Sequence, residues 1–218
     1  EVREVRKQFG ATPVRALKKL GLLDVPVVAA HCVKVDDEEI DLLADHRVGV
    51  CHCPTSNMKL ASGVAPVTKM LARGVTVALG TDGACSNNNL DMVDEMRIAA
   101  LLQKVATGDP TALPAGEALA LATRGSAEAL GLGDEIGRLT PGRRADVVLW
   151  DFTRPHLTPT HDVVSHLVYS ANGADAHTVI VDGEVVVRDR HAVRLDADRI
   201  QGKCEAIGRR LVAGVAAG

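Results

Sequence analysis

His31 and Asp82 each stand where an apolar run ends. His31 closes Val27-Val28-Ala29-Ala30, and Asp82 closes Ala78-Leu79-Gly80-Thr81. Polar groups at the C-terminal ends of parallel strands are where α/β barrels place their chemistry. Gly80 and Gly83 beside Asp82 would let a ligand or metal approach the backbone closely. Each residue also has a plain structural reading: an Asx-turn or helix cap for Asp82, and a hydrogen-bonded core position for His31. Cys51-His52-Cys53 contains metal-ligating residue types. On a strand, however, the two cysteines face one way and His52 the other, and thiolates suit structural zinc better than an open hydrolytic site. Asn57 and Asn87 to Asn89 are turn formers whose amides could contact substrate or orient Asp82. His156, His161 and His166, with Pro155 and Pro159 among them, read as a surface loop, and Arg143-Arg144 as a solvated turn.

The elements that must position these residues alternate. Short Val/Ala-rich runs without polar alternation, at 25–33, 48–53 and 75–81, read as buried parallel strands. Asp36 with Glu39 resembles a capping box that opens a helix carrying Ile40, Leu42 and Leu43. Pro66 and Gly74 bracket the next helix. A long helix is expected over about 90–104, followed by two short ones at 115–122 and 126–130. Beyond Pro141-Gly142 the texture changes to β-rich runs at 145–151, 177–182 and 184–188, the last two joined by Asp182-Gly183, a hairpin signal. A final helix is expected over 197 to about 215.

A complete (β/α)8 barrel needs about 250 residues, roughly 31 per unit. Only three strand–helix units precede the antiparallel region. A three-stranded module standing alone would leave an uncovered sheet edge, so the last part of a barrel is the favoured architecture. The expected fold class is therefore α/β: the C-terminal portion of a (β/α)8 barrel at 1–140, a small β-rich domain at 141–195, and a terminal helix at 196–218.

Composition limits the function classes. The 218 residues are 46% hydrophobic, with 25 Lys+Arg against 28 Asp+Glu and a net charge of −3. No basic run points to nucleic acid, and no apolar stretch is long enough to span a bilayer. The five cysteines are odd in number and read as buried free thiols of a reducing compartment, hence a cytoplasmic protein. The opening Glu1-Val2-Arg3-Glu4-Val5-Arg6-Lys7 has no signal peptide and begins inside a helical pattern, as a truncated or processed chain would.

Four stretches taken together resemble the amidohydrolase superfamily. They are Ala30-His31-Cys32-Val33, the run from His52-Cys53-Pro54-Thr55-Ser56-Asn57 to Leu60, Gly80-Thr81-Asp82-Gly83-Ala84-Cys85-Ser86-Asn87-Asn88-Asn89, and the run from Leu139-Thr140-Pro141-Gly142 to Val148. Leu90-Asp91-Met92 and Glu95-Met96-Arg97 bring the chain nearest to the 5-methylthioadenosine/S-adenosylhomocysteine deaminases within it. The resemblance implies a barrel holding one divalent metal, zinc or alternatively iron, through a His-x-His pair, a further His and an Asp. Asp82 matches that Asp, as metal ligand and as the carboxylate that relays the proton. His31 matches the histidine that contacts water or substrate, and His52 a neighbour of the substrate pocket. No His-x-His occurs in the chain, so the other ligands are expected upstream of residue 1, leaving the isolated piece inactive. The implied partner is a small-molecule substrate, with self-association left open. An aminohydrolase of guanine, cytosine or a triazine is the alternative, and a non-catalytic binding or assembly module is the reading from another class.

Overall fold

The computed structural model describes residues 2–216, and Glu1 of the opening pattern lies outside them. Helices α1 (Val2–Phe9) and α2 (Pro13–Lys19) lead in. Strands β1 (Val28–Ala30), β2 (Gly49–His52) and β3 (Val77–Leu79) then alternate with α3 (Asp37–Asp45), α4 (Pro54–Lys59) and α5 (Val67–Ala72). They form a parallel sheet in the order β1-β2-β3, with Val28 opposite Gly49 and Val50 opposite Val77. Next come α6 (Ala84–Asn87), α7 (Met92–Thr107), α8 (Ala115–Ala120) and α9 (Ser126–Ala129), the last two joined through one π-helical stretch, Leu121–Gly125. A four-stranded antiparallel sheet follows, in the order β4 (Val147–Trp150), β5 (Ala176–Val181), β6 (Glu184–Arg188) and β7 (His191–Ala192). Helix α10 (Val163–Tyr169) lies between β4 and β5, and α11 (Ala197–Ala216) comes last. No helix among the described residues is long and apolar enough to cross a membrane.

Local chemistry explains several boundaries. The Asp36 side chain accepts from Glu39 N at 3.0 Å, and Glu39 Oε2 accepts from Asp36 N at 3.1 Å, a complete capping box at the start of α3. Asp91 caps α7 by accepting from Val93 N at 2.8 Å, and Gly108 ends that helix in the left-handed region at φ 68°. Asp182 and Gly183, at φ 50° and 81°, turn β5 into β6, as a two-residue hairpin requires. The core packs Ile40 and Leu43 of α3 and Val67 and Met70 of α5 with Val50 and Val77 of the sheet, and Leu157 and Val168 from the later segment join the same cluster.

The structure corrects several expectations. β1 is three residues rather than the whole of 25–33, and it is not buried: Val28 is 47% exposed. It is an edge strand with β2 on one side, and Pro26 before it has no N–H for a ladder. Helices α4, α6 and α10 stand where the sequence points to turns or loop. Each is short, and Pro54 in the first turn of α4 and the Asp162 cap of α10, which accepts from Ser165 N at 2.6 Å, were their available signals. The two helices at 115–122 and 126–130 are one nearly continuous helical run. Arg143 is no solvated turn residue, because its guanidinium donates to the carbonyl oxygens of Gly133 and Ile136. His156 is exposed, in keeping with a surface position, and its ring meets the buried Asp175 at 2.8 Å. Of the five free cysteines only Cys53 is buried, while Cys85 and Cys204 are exposed because they sit in solvent-facing helical positions.

Candidate functional site

His31 and Asp82 arrive at the same end of the parallel sheet because His31 directly follows β1 and Asp82 follows β3 after Gly80 and Thr81, the two strands flanking β2. The ladder continues one step past each strand: His31 N donates to Cys51 O at 2.8 Å, and Gly80 N donates to His52 O at 3.0 Å. Immediately beyond, the backbone turns sharply. His31, Cys32 and Asp82 have φ of 68°, 44° and 61°, the sparsely populated left-handed region for residues with a Cβ. Such geometry clusters where side chains are aimed at a site. Across β2, His31 Nε2 comes within 4.0 Å of Asp82 Oδ2, and both side chains are partly open to solvent.

The short helices that follow β2 and β3 supply the supports. Ser56 of α4 donates to Asp82 Oδ2 at 2.7 Å, and Ser86 of α6 donates to the same oxygen at 2.9 Å. Those two hydroxyls, Ser56 first, hold the Asp82 carboxyl down at about 2, with the Gly83 amide and the neighbouring His31 adding to them. Asp82 is therefore an anion throughout the neutral range. On the other side, Asn57 Oδ1 lies 3.0 Å from His31 Nδ1, so a proton on that nitrogen is donated to the Asn57 amide oxygen. Asn57 thus meets His31 rather than Asp82, and Asn87 to Asn89 bond Glu95, Lys59 and Asp94 instead.

Glu95 lies one layer deeper, fully enclosed on α7. It accepts from Thr55 N at 3.3 Å and from Asn87 Nδ2 at 2.6 Å, so it ties the starts of α4 and α7 to the end of α6. Burial pushes its carboxyl up despite these donors. Neither the serines nor Glu95 was singled out in the sequence. The available signal for Glu95 was its place on the buried stripe Glu95-Ala99-Gln103 of α7, where a charge needs partners.

His52 stands behind the site rather than in it. It is fully buried on the face of β2 that also carries Val50, beside Leu79 of β3, and both ring nitrogens lack a hydrogen-bond partner. Burial, with the nearby His31, drives its pKa down to about 4. Among the described residues the ring of His52 presents no open surface. The alternation holds, because Cys51 and Cys53 share the opposite face with their sulfurs 3.9 Å apart. A cleft lined by Met92, Met96, Leu119, Trp150 and Leu167 lies between α7, α8 and the antiparallel sheet; it is largely apolar, with Asn89, Asp91, Arg138 and Asp146 among its polar lining.

Asp82 has the character of a metal ligand: an exposed anionic carboxylate with one oxygen oriented by two hydroxyls. Among the described residues no group of three or more His, Cys, Asp or Glu converges to hold an ion.

Residues 1–186 match the amidohydrolase family. Curated relatives include the 5-methylthioadenosine/S-adenosylhomocysteine deaminase of Pelotomaculum thermopropionicum, 55% identical over 97% of this chain and 49% of its own length. That of Moorella thermoacetica is 58% identical over 92% of this chain and 47% of its own length. The chain thus spans about half the length of the curated relatives it matches. Among solved structures, a zinc-bound adenosine deaminase from Xanthomonas campestris superposes with a TM-score of 0.95 at 38% identity, covering 98% of this chain and 48% of that one. The zinc complex of atrazine chlorohydrolase from Arthrobacter aurescens gives 0.85 at 35% identity, covering 94% and 46%. With Asp82 and His31 meeting across a parallel sheet and a family match over most of its length, this chain belongs to the amidohydrolase family.

Proposed function

We propose that this chain is the C-terminal part of a metal-dependent hydrolytic deaminase acting on an adenine nucleoside thioether, S-adenosylhomocysteine or 5′-methylthioadenosine. The observation that carries the reading is the meeting of Asp82 and His31, 4.0 Å apart at the C-terminal ends of parallel strands. The names of the curated relatives support the substrate class. In this reading residues 1–140 are the last part of a (β/α)8 barrel, 141–195 a small β domain and 196–218 a terminal helix. The exposed outer edge of β1 is where a preceding barrel strand pairs. The remaining metal ligands are residues upstream of residue 1. Zinc is the favoured ion because both solved neighbours contain it.

A divalent cation at such a site lowers the pKa of water to about 7, making a nucleophile available at neutral pH. With such a cation bound, Asp82 would be its carboxylate ligand and would also accept a proton from water and return it to the departing amine. Ser56 and Ser86 fix the carboxylate for both duties. His31, held by Asn57, would orient the water and stabilise the charge that develops on the heteroatoms of the tetrahedral adduct, an effect worth ~3–4 kcal/mol for a well-placed group. The balance is water consumed and ammonia released.

The test uses the longer protein that restores the upstream ligands, measuring metal content beside ammonia release from S-adenosylhomocysteine. Asp82→Asn should lower turnover by ~10³-fold or more and deplete the metal, since it removes the anionic ligand and the proton acceptor together. His31→Asn should lower turnover while leaving metal content nearly intact. Near-normal turnover in Asp82→Asn would reduce Asp82 to a turn residue. The similarity to a chlorohydrolase of a triazine favours one second reading, an aminohydrolase of another N-heterocycle. Faster turnover of guanine, cytosine or a triazine than of the thioethers would select it.

A further inference from the structure

We propose that Cys51 and Cys53 form a two-thiolate site for a thiophilic divalent cation such as zinc or cadmium, separate from the Asp82 centre. The proposal does not rest on the deaminase reading. The two residues sit two apart on one face at the end of β2, and their sulfurs are 3.9 Å apart. Two thiolates on one tetrahedral zinc at about 2.3 Å stand about 3.7 Å from each other, so the pair already spans that bite. A disulfide would instead have to draw the sulfurs in to about 2.05 Å against an extended backbone.

The neighbouring strand is shaped around the pair. A Cβ on Gly80 would lie 2.6 Å from Cys51 Sγ and 3.6 Å from Cys53 Sγ, so only glycine leaves room for both sulfurs over β3. The two thiols share a hydrogen bond, and this contact brings the Cys51 thiol down to about 7 while Cys53 is pushed up. Asp82 and Glu95 lie within electrostatic reach of both sulfurs. Their negative charge disfavours bare thiolates and favours a bound cation. Cys51 is partly exposed, which gives an ion a way in, and water completes the coordination.

The experiment uses the full 218-residue chain carrying Cys32→Ser, Cys85→Ser and Cys204→Ser, so that only this pair remains. Under phosphine reduction, cadmium chloride should bind once per chain with a cadmium–thiolate charge-transfer band in the ultraviolet. Adding Cys51→Ser or Cys53→Ser should weaken cadmium binding at least tenfold, with circular dichroism unchanged because the replacement is nearly isosteric. Gly80→Ala should weaken binding while both thiols still react with a thiol reagent. Asp82→Asn should keep the band and weaken binding no more than a few-fold, since it removes a nearby negative charge but no ligand. A band that survives both cysteine substitutions, or none in the parent, would overturn the site. A band lost in Asp82→Asn would overturn its independence from the Asp82 centre.

Discussion

His52 is fully buried with no hydrogen-bond partner for its ring, and its protonation has a measurable consequence. Its pKa falls from the ordinary 6.5 to about 4 on folding because an imidazolium there would be buried without a partner. The unfolded chain therefore binds the proton more readily than the folded one. Stability from this group is complete above pH 6.5 and is lost as pH falls toward 4, by about 3 kcal/mol in all. His52→Leu should flatten the dependence of the urea midpoint on pH between 7 and 4.5, and an unchanged slope would place the titration elsewhere. Ser56 and Ser86 invite a second test. Each donates to Asp82 Oδ2, so Ser56→Ala or Ser86→Ala in the longer protein should cost ~10–100-fold in metal affinity, read by competition with a chelator. Affinity unchanged in both variants would mean that the hydroxyls merely cap a turn.

Between elements, close packing is decided by glycine. Gly49 begins β2 under α9, where an added Cβ would lie 2.8 Å from Ala129 Cβ and 2.9 Å from its carbonyl oxygen. Backbone on the far side cannot yield as a flexible side chain would. Gly49→Ala should therefore destabilise by ~1–3 kcal/mol, read from urea unfolding. Gly202, within α11, has nothing within 4 Å of the same construction, and Gly202→Ala should be neutral or stabilise by ~0.5–1 kcal/mol. Equal effects at the two positions would show that helix propensity, rather than the contact with α9, governs Gly49. Gly125 makes a similar approach, an added Cβ there lying 2.5 Å from Val77 O, which is how the π-helical stretch lies against β3.

For the whole molecule, the two ends of the parallel sheet order are treated differently. On the β3 side the free amide of Leu79 donates to Ser126 Oγ at 3.3 Å, whereas β1 presents exposed Val28 at its edge. One carboxylate and a nearby histidine cannot stand in for a full ligand set, so the 218-residue chain by itself should release no ammonia from S-adenosylhomocysteine with added zinc. Joining it to an upstream segment that carries His-x-His should restore release. Turnover by the isolated chain, abolished by Asp82→Asn, would show that its own residues complete the site.

The features legible in the sequence are those set by forces acting over a few residues. Apolar runs placed His31 and Asp82 at strand ends, Asp36 with Glu39 declared a helix start, and Asp182-Gly183 supplied a turn that needs positive φ. Short helices such as α4 and α6 escaped because one or two turns carry too little periodicity to stand out. What only the tertiary structure decided is which residues meet. His31 reaches Asn57 and Ser56 reaches Asp82 across 26 residues in each case, and those meetings follow from the parallel register of three strands. The same register brings Gly80 under the two sulfurs of β2. Glu95 is charged by sequence, and only packing encloses it and supplies its donors. A sequence reports what each residue can do within its own turn or strand, while its partner across the sheet is chosen by the packing of the whole chain.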